Sequence, residues 1–276
     1  MKKTLFLLLL IIAFIYAETK IPNPTKFPRT SFKALKSKRA NKEPLVVHIF
    51  VPLCDNEHQG IVPVSKTLGD GLNLCTNLYW GALYGVKTHF KRSKTWKLIS
   101  SEKDISKVVL ERVVFKKGDV YIVADAYRGD SMKEALHDYF NSISGVKSGT
   151  VSLKKSSLAL YKDADLTILN GHNGLMDHNI KSSKSIDNKV RETAVIGCKS
   201  YVYFERNFLV SNAYPLVTTT NYMAPEAYVL EAIINSWANL NSTKSMKKSA
   251  GKAYNKYQKC GIKGATRLFH GGWKSK

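Results

Sequence analysis

The apolar run at residues 45–53, LVVHIFVPL, constrains the fold more than any other stretch. It is rich in β-branched residues and lacks the apolar–polar alternation of a strand with one wet face. Such a strand has to be covered on both sides, which is the position of an inner strand of a parallel sheet. Runs of similar character recur at 108–115, 120–126 (VYIVADA), 166–170 (LTILN), 193–198 and 216–219. Helical patterns lie between and after them. Residues 78–90 read as a helix, weakened by Gly81 and Gly85. Ser131 and Glu134 form an S-x-x-E capping pattern, and Met132, Ala135, Leu136, Tyr139, Phe140 and Ile143 follow at helical spacing. Pro225 suits a first helical turn ahead of the apolar stripe Leu230, Ile233, Ile234 and Trp237. A lysine-rich helix is expected at 246–260. Strands alternating with amphipathic helices predict an α/β fold, a three-layer sandwich with a mostly parallel sheet. In such sheets ligands bind beyond the carboxyl ends of the strands, so the strand-end loops are where chemistry is expected.

The N-terminus reads as a leader. Lys2 and Lys3 precede an apolar run at 5–15, and Ile15-Tyr16-Ala17 ends it with a small residue before Glu18. This predicts a cleavable secretory signal peptide over residues 1–17. The run is shorter than the roughly 20 apolar residues that span a bilayer. The expected location is secreted or periplasmic, by bacterial export. Residues 18–44, basic and broken by Pro22, Pro24 and Pro28, read as an extended arm or linker. Residues 45–276 read as a single α/β domain with a helical C-terminal tail.

A hydrophobic content of 44% belongs to a globular protein. The net charge of +22 draws such a protein to anionic surfaces: lipid headgroups, nucleic acid, acidic glycans. The basic residues are spread along the chain with no RNA- or DNA-binding motif, so an anionic surface is the expected partner and specific nucleic-acid binding is not. There is no Gly-rich phosphate loop, H-E-x-x-H or G-x-S-x-G, and no cofactor is expected. Cys54, Cys75, Cys198 and Cys260 would allow two disulfides in an oxidising compartment, in any of three pairings, one of which staples Cys54 to Cys75.

Two strand ends carry reactive side chains. Residues 166–170 end in Gly171-His172-Asn173-Gly174, and residues 193–196 end in Gly197-Cys198-Lys199-Ser200. Neighbouring strands lie ~4.8 Å apart, so adjacency of these two would bring His172 and Cys198 out side by side. That is what a thiol nucleophile and its imidazole base require. The glycines allow tight turns and leave backbone N–H groups of Cys198 and of Asn173 or Gly174 free to hold an oxyanion. The competing reading is a small buried apolar cysteine and a solvated loop histidine. Two further groups belong to the same edge. Asp125 and Arg128 end the 120–126 strand, and Cys54-Asp55-Asn56-Glu57-His58 follows the first strand. The latter holds metal-ligating residue types at a spacing that matches no established site, so a polar loop without a metal is expected.

DADLTILNGHNG (163–174) followed by ETAVIGCKS (192–200) resembles the caspase-like cysteine peptidases: caspases, legumains and gingipains. That family has an apolar strand ending in His-Gly and, later, one ending in the nucleophilic cysteine. YPLVTTTNYMAPEAYVLEAI (214–233) is similar to the strand and helix that follow the cysteine in legumain-like members, and the resemblance covers roughly residues 45–240. Asn173 departs from the pattern by standing between the histidine and its glycine, and Gly197 stands after Ile196 where the family has a small residue after an acidic one. The resemblance implies a caspase-like fold and peptide cleavage through a thioester on Cys198, with His172 shuttling the proton. It also implies that loops near Asp125 and Arg128 shape the pocket for the residue before the scissile bond. Asp125 would favour a basic residue there and Arg128 an acidic one, unless the two pair with each other. The expected function is thus an exported cysteine-dependent hydrolase acting on a peptide or protein substrate. The alternative is a non-catalytic caspase-fold domain that binds an anionic surface or a protein partner. A glutamine-amidotransferase-like arrangement needs a histidine after the cysteine, which only His270 supplies, from a tail expected to be mobile.

Overall fold

The computed structural model describes residues 28–154 and 156–273. The expected leader and the first part of the arm lie outside the described residues. Helix α1 (Ser31–Ala40) leads into β1 (Leu45–Pro52). After a long loop come α2 (Val86–Arg92), β2 (Lys97–Lys103), β3 (Val109–Lys117) and β4 (Val120–Tyr127). Then follow α3 (Met132–Ile143), the hairpin β5 (Ser148–Leu153) and β6 (Ser156–Tyr161), β7 (Leu166–Asn170) and β8 (Arg191–Ile196). The chain continues through α4 (Ser200–Ser211), β9 (Ala213–Thr219), α5 (Ala227–Ala238), α6 (Thr243–Gln258), α7 (Ile262–Leu268) and β10 (Phe269–Gly271).

One mixed sheet of eight strands runs β10-β9-β8-β7-β1-β4-β3-β2. Its middle, β9-β8-β7-β1-β4, is parallel, and antiparallel strands close both edges. Every residue of β1 is buried, as its unbroken apolar character requires. Val47, Ile49 and Val51 face one side and pack with α1, α2, α5 and α6. Phe50 faces the other side and packs with α3 and α4, while Val46 meets the β5–β6 hairpin. The protein is therefore α/β, with helices on both faces of a largely parallel sheet.

Several elements differ from the sequence reading. The described part of the arm, residues 28–44, is not extended: α1 lies in it, Leu35 is buried in the core, and Arg29 and Lys38 pair with Glu192 and Asp165 at 2.5 and 2.6 Å. Basic residues of the expected arm are thus tied to carboxylates in and just before the sheet strands. The 78–90 helix shrinks to α2, because a Cβ on Gly81 would sit 2.2 Å from the Cys75 carbonyl oxygen and one on Gly85 would strike Trp80. Ser131 makes no capping bond to the helix; its hydroxyl donates to Asp130 Oδ1 at 2.9 Å. The C-terminal segment is not a loose tail, since Phe269, His270 and Gly271 pair with Thr219, Thr218 and Val217 and Phe269 is fully buried.

Candidate active site

Strands β7 and β8 are parallel neighbours, in register from Thr167↔Thr193 to Asn170↔Ile196. The ladder continues past both ends, with Gly171 N–H donating to the Ile196 carbonyl at 3.1 Å. His172 and Cys198 thus leave adjacent strands at the same edge. The turn between them is compressed. A Cβ on Gly197 would lie 2.7 Å from the Gly171 carbonyl oxygen and 3.5 Å from the Asn173 backbone nitrogen, so glycine is needed just before the cysteine. Asn173 fastens the two loops: its Nδ2 donates to the Cys198 carbonyl at 2.7 Å, and its Oδ1 accepts from Leu175 N–H at 3.1 Å.

Cys198 sits on a sharp strand-to-helix corner. Lys199 takes a left-handed conformation (φ +48°), and α4 starts at Ser200. Ser200 locks the corner by donating to the Val195 carbonyl at 2.8 Å, while Thr219 donates to the Gly197 carbonyl. The N-terminal end of the α4 dipole therefore lies at this corner. The Cys198 thiol is half-buried and donates to the Met223 carbonyl at 3.6 Å.

His172 is buried, and its Nε2 bonds to Asp177 Oδ2 at 2.6 Å. A carboxylate only accepts, so Nε2 carries the hydrogen and Nδ1 of the neutral ring is left as a base. Asp177 Oδ2 also accepts from Gly60 N–H at 3.0 Å, which anchors it to the loop after β1. Asp177 went unrecognised in the sequence, although a carboxylate five residues after the candidate base was visible there.

His172 and Cys198 line one cavity of about 560 Å³. Its walls are the loop after β1 (Ile61, Val62 and Val64), the segment from Tyr222 to Glu226, and Tyr254 and Gln258 of α6. Cys54 and Tyr79 line it too. Cys54 is a second thiol in the cavity, but burial pushes its pKa up to about 11, so it stays protonated at neutral pH. Burial also holds the Tyr79 hydroxyl well above its ordinary range.

The remaining expected groups are elsewhere. Asp125 does not shape the pocket: it is fully buried within β4, bonded to Arg112 at 2.6 and 2.7 Å and to His48 at 3.0 Å. The strand runs on to Tyr127, so position 125 is inside the sheet rather than at its end. Arg128 pairs with Asp130 at 2.6 Å, not with Asp125, and it does not line the cavity. Gly174 N–H is committed to the His172 carbonyl at 3.1 Å, which leaves Asn173 and Cys198 as the backbone donors near the thiol. Asp55 organises its own loop, accepting from Glu57 and His58 N–H and pairing with His58 Nδ1 at 3.0 Å. Among the described residues no group of three or more His, Cys, Asp or Glu could hold a metal. All four cysteines are free thiols, so Cys54 is not stapled to Cys75, and Cys75 and Cys260 are exposed. His270 belongs to edge strand β10, its ring 4.9 Å from that of Tyr201. No helix among the described residues is long and apolar enough to cross a membrane.

Comparison with models of protein families, with curated proteins and with solved structures finds no match in any of the three. The site is therefore read from its own chemistry.

Proposed function

We propose that the chain is an exported cysteine-dependent hydrolase of caspase-like architecture, cleaving peptide bonds with Cys198 as nucleophile and His172 as general base and acid. One observation carries this reading: a thiol and an imidazole leave adjacent parallel strands into one cavity, with a carboxylate bonded to the imidazole. A histidine strand beside a cysteine strand in a largely parallel, helix-covered sheet is also what the caspase-like resemblance implies. The leader-like residues 1–17 support export.

In this mechanism His172 Nδ1 accepts the thiol proton as Sγ attacks the substrate carbonyl. The oxygen of the tetrahedral intermediate takes the negative charge, and the backbone N–H groups of Cys198 and Asn173 are the donors available to hold it. Collapse breaks the C–N bond, and the departing amine takes the proton from the imidazolium. Water, deprotonated by His172, then hydrolyses the thioester and releases the carboxylic acid. Asp177 keeps the proton on Nε2 throughout and stabilises the imidazolium.

The test compares the protein with Cys198→Ala, using a peptidyl ketone probe that alkylates thiols next to a bound acyl group and a mixed fluorogenic peptide library. Labelling and cleavage are expected in the parent and absent from the variant, at equal thermal stability. The exposed Cys75 and Cys260 make a generic alkylating agent uninformative. Equal probe labelling of the variant would remove Cys198 as nucleophile.

One observation favours the alternative, a non-catalytic domain that docks on an anionic surface. Residues 232–276 contain no Asp or Glu, and Lys244, Lys248, Lys252 and Lys256 recur along α6 at four-residue spacing, all exposed. None of these four lysines is ion-paired among the described residues.

A further inference from the structure

The cavity that receives His172 and Cys198 has mainly apolar and aromatic walls, among them Ile61, Tyr79, Met223 and Tyr254, and it contains one glutamate, Glu226. Glu226 stands just before α5. Its Oε2 accepts from the Tyr228 hydroxyl at 2.5 Å and from Gln258 Nε2 at 2.8 Å. Both donors are neutral. No lysine, arginine or histidine pairs with it among the described residues.

The chain has 43 basic and 21 acidic residues, and Glu226 is the glutamate that lines this cavity. The carboxylates buried in the sheet hold cations: Glu192 holds Arg29, Glu111 holds Lys87, and Asp125 holds Arg112. Glu226 instead sits at the wall of an open, largely apolar cavity, positioned by neutral hydrogen bonds and with no counter-ion among the described residues. Such an arrangement suits a long cationic side chain from outside. The methylenes of a lysine or arginine would run along the apolar and aromatic walls, and its charged end would meet the half-buried carboxylate. The aromatic faces add attraction for a cation. Lys199 Nζ already lies 4.3 Å from the ring of Tyr222 at the cavity rim, an example of that contact.

We propose that Glu226 is the specificity-determining residue of the cavity and that it selects substrates presenting a lysine or arginine side chain there. This assignment rests on the hydrolase reading, and it replaces Asp125, which is sealed in the sheet.

The test measures both binding and cleavage. Binding of labelled peptides that differ only in lysine against norleucine is measured on the Cys198→Ala protein, with and without the isosteric Glu226→Gln substitution. Cleavage of the matching fluorogenic pair is measured on the parent and on Glu226→Gln. The lysine peptide is expected to bind and to be cleaved at least roughly 30-fold better than its norleucine counterpart, the range reached by buried charge pairs. Glu226→Gln is expected to shrink that ratio to within about threefold. Equal treatment of the two peptides by the parent, or a ratio unchanged in Glu226→Gln, overturns the assignment of Glu226 while leaving the hydrolase intact. Selective lysine binding without cleavage overturns the hydrolase instead. Failure to bind either peptide overturns both.

Discussion

At the scale of single residues, the site turns on which groups are held in a usable state. Two thiols reach the cavity, and burial silences one of them by raising Cys54 to about 11. Cys198 lies on a corner beside free backbone donors. In the proposed mechanism Asp177 is a positioning residue that acts through His172. Asp177→Asn removes the acceptor that keeps the proton on Nε2 and allows the other tautomer, in which Nδ1 is no longer a base. General acid–base catalysis contributes roughly 10²–10⁴-fold, so kcat is expected to fall by at least about 10² with KM little changed. A KM effect alone, or no loss of kcat, would show that the carboxylate only shapes the loop. His172 and Cys198 were legible in the sequence because each follows a short apolar run and is flanked by glycine. Asp177 was not, because its bond forms only when the 3₁₀ turn at Gly174–Met176 folds the chain back on the histidine. Asp125 was misread for a related reason. Its strand continues two residues further, and only the pairing Arg112↔Asp125 reveals that its partner is across the sheet.

At the scale of elements, the β1–β4–β3 strands are joined by a buried polar network. His48 of β1, Asp125 of β4 and Arg112 of β3 meet inside the sheet, and His48 Nδ1 accepts from Tyr161 N–H at 3.2 Å. Burial lowers the His48 pKa and keeps the ring neutral in the folded state. Burial by itself would raise Asp125, but its bonds to Arg112 and His48 outweigh that and hold it at about 2. Both shifts have the same consequence. As pH falls below the ordinary histidine value of 6.5, the unfolded state takes up a proton that the folded His48 refuses. Below the ordinary aspartate value of 3.8, the unfolded state protonates while folded Asp125 stays charged. Stability is thus expected to decline with acid in two steps, one from each residue. Arg112→Met strands a buried carboxylate, at a cost of about 3–5 kcal/mol near neutral pH. The gap from the parent is expected to narrow as pH falls and the stranded carboxyl becomes neutral. Thermal unfolding of both proteins from pH 7 to pH 3 checks this; a gap independent of pH would show that Arg112 contributes packing and not charge. The sequence showed β1 and β4 as apolar runs but gave no sign that a histidine and an aspartate within them would meet.

At the scale of the whole molecule, the acid-free 232–276 segment carries the exposed lysines of α6, the helix whose Tyr254 and Gln258 line the cavity. If that face docks on an anionic surface, each lysine near the surface contributes about 1 kcal/mol. Lys248→Glu together with Lys252→Glu is then expected to weaken binding to phosphatidylglycerol-containing vesicles by roughly 30-fold or more, and salt is expected to weaken the parent. Equal affinity for neutral vesicles, or insensitivity to salt, would rule out that role. What the sequence determined alone was local: the buried strands, the strongly amphipathic α3, and the glycine-flanked His172 and Cys198 at strand ends. Those follow from side-chain periodicity and backbone freedom, which neighbouring residues set. Tertiary structure decided everything that depends on which elements lie beside each other. It set β7 against β8, carried Asp177 to the imidazole, sealed Asp125 in the sheet and left Glu226 in the cavity with neutral hydrogen-bond donors. Hydrogen bonds and ion pairs form between atoms a few ångströms apart, and residues distant in the chain reach that range only once the sheet and its helices have packed.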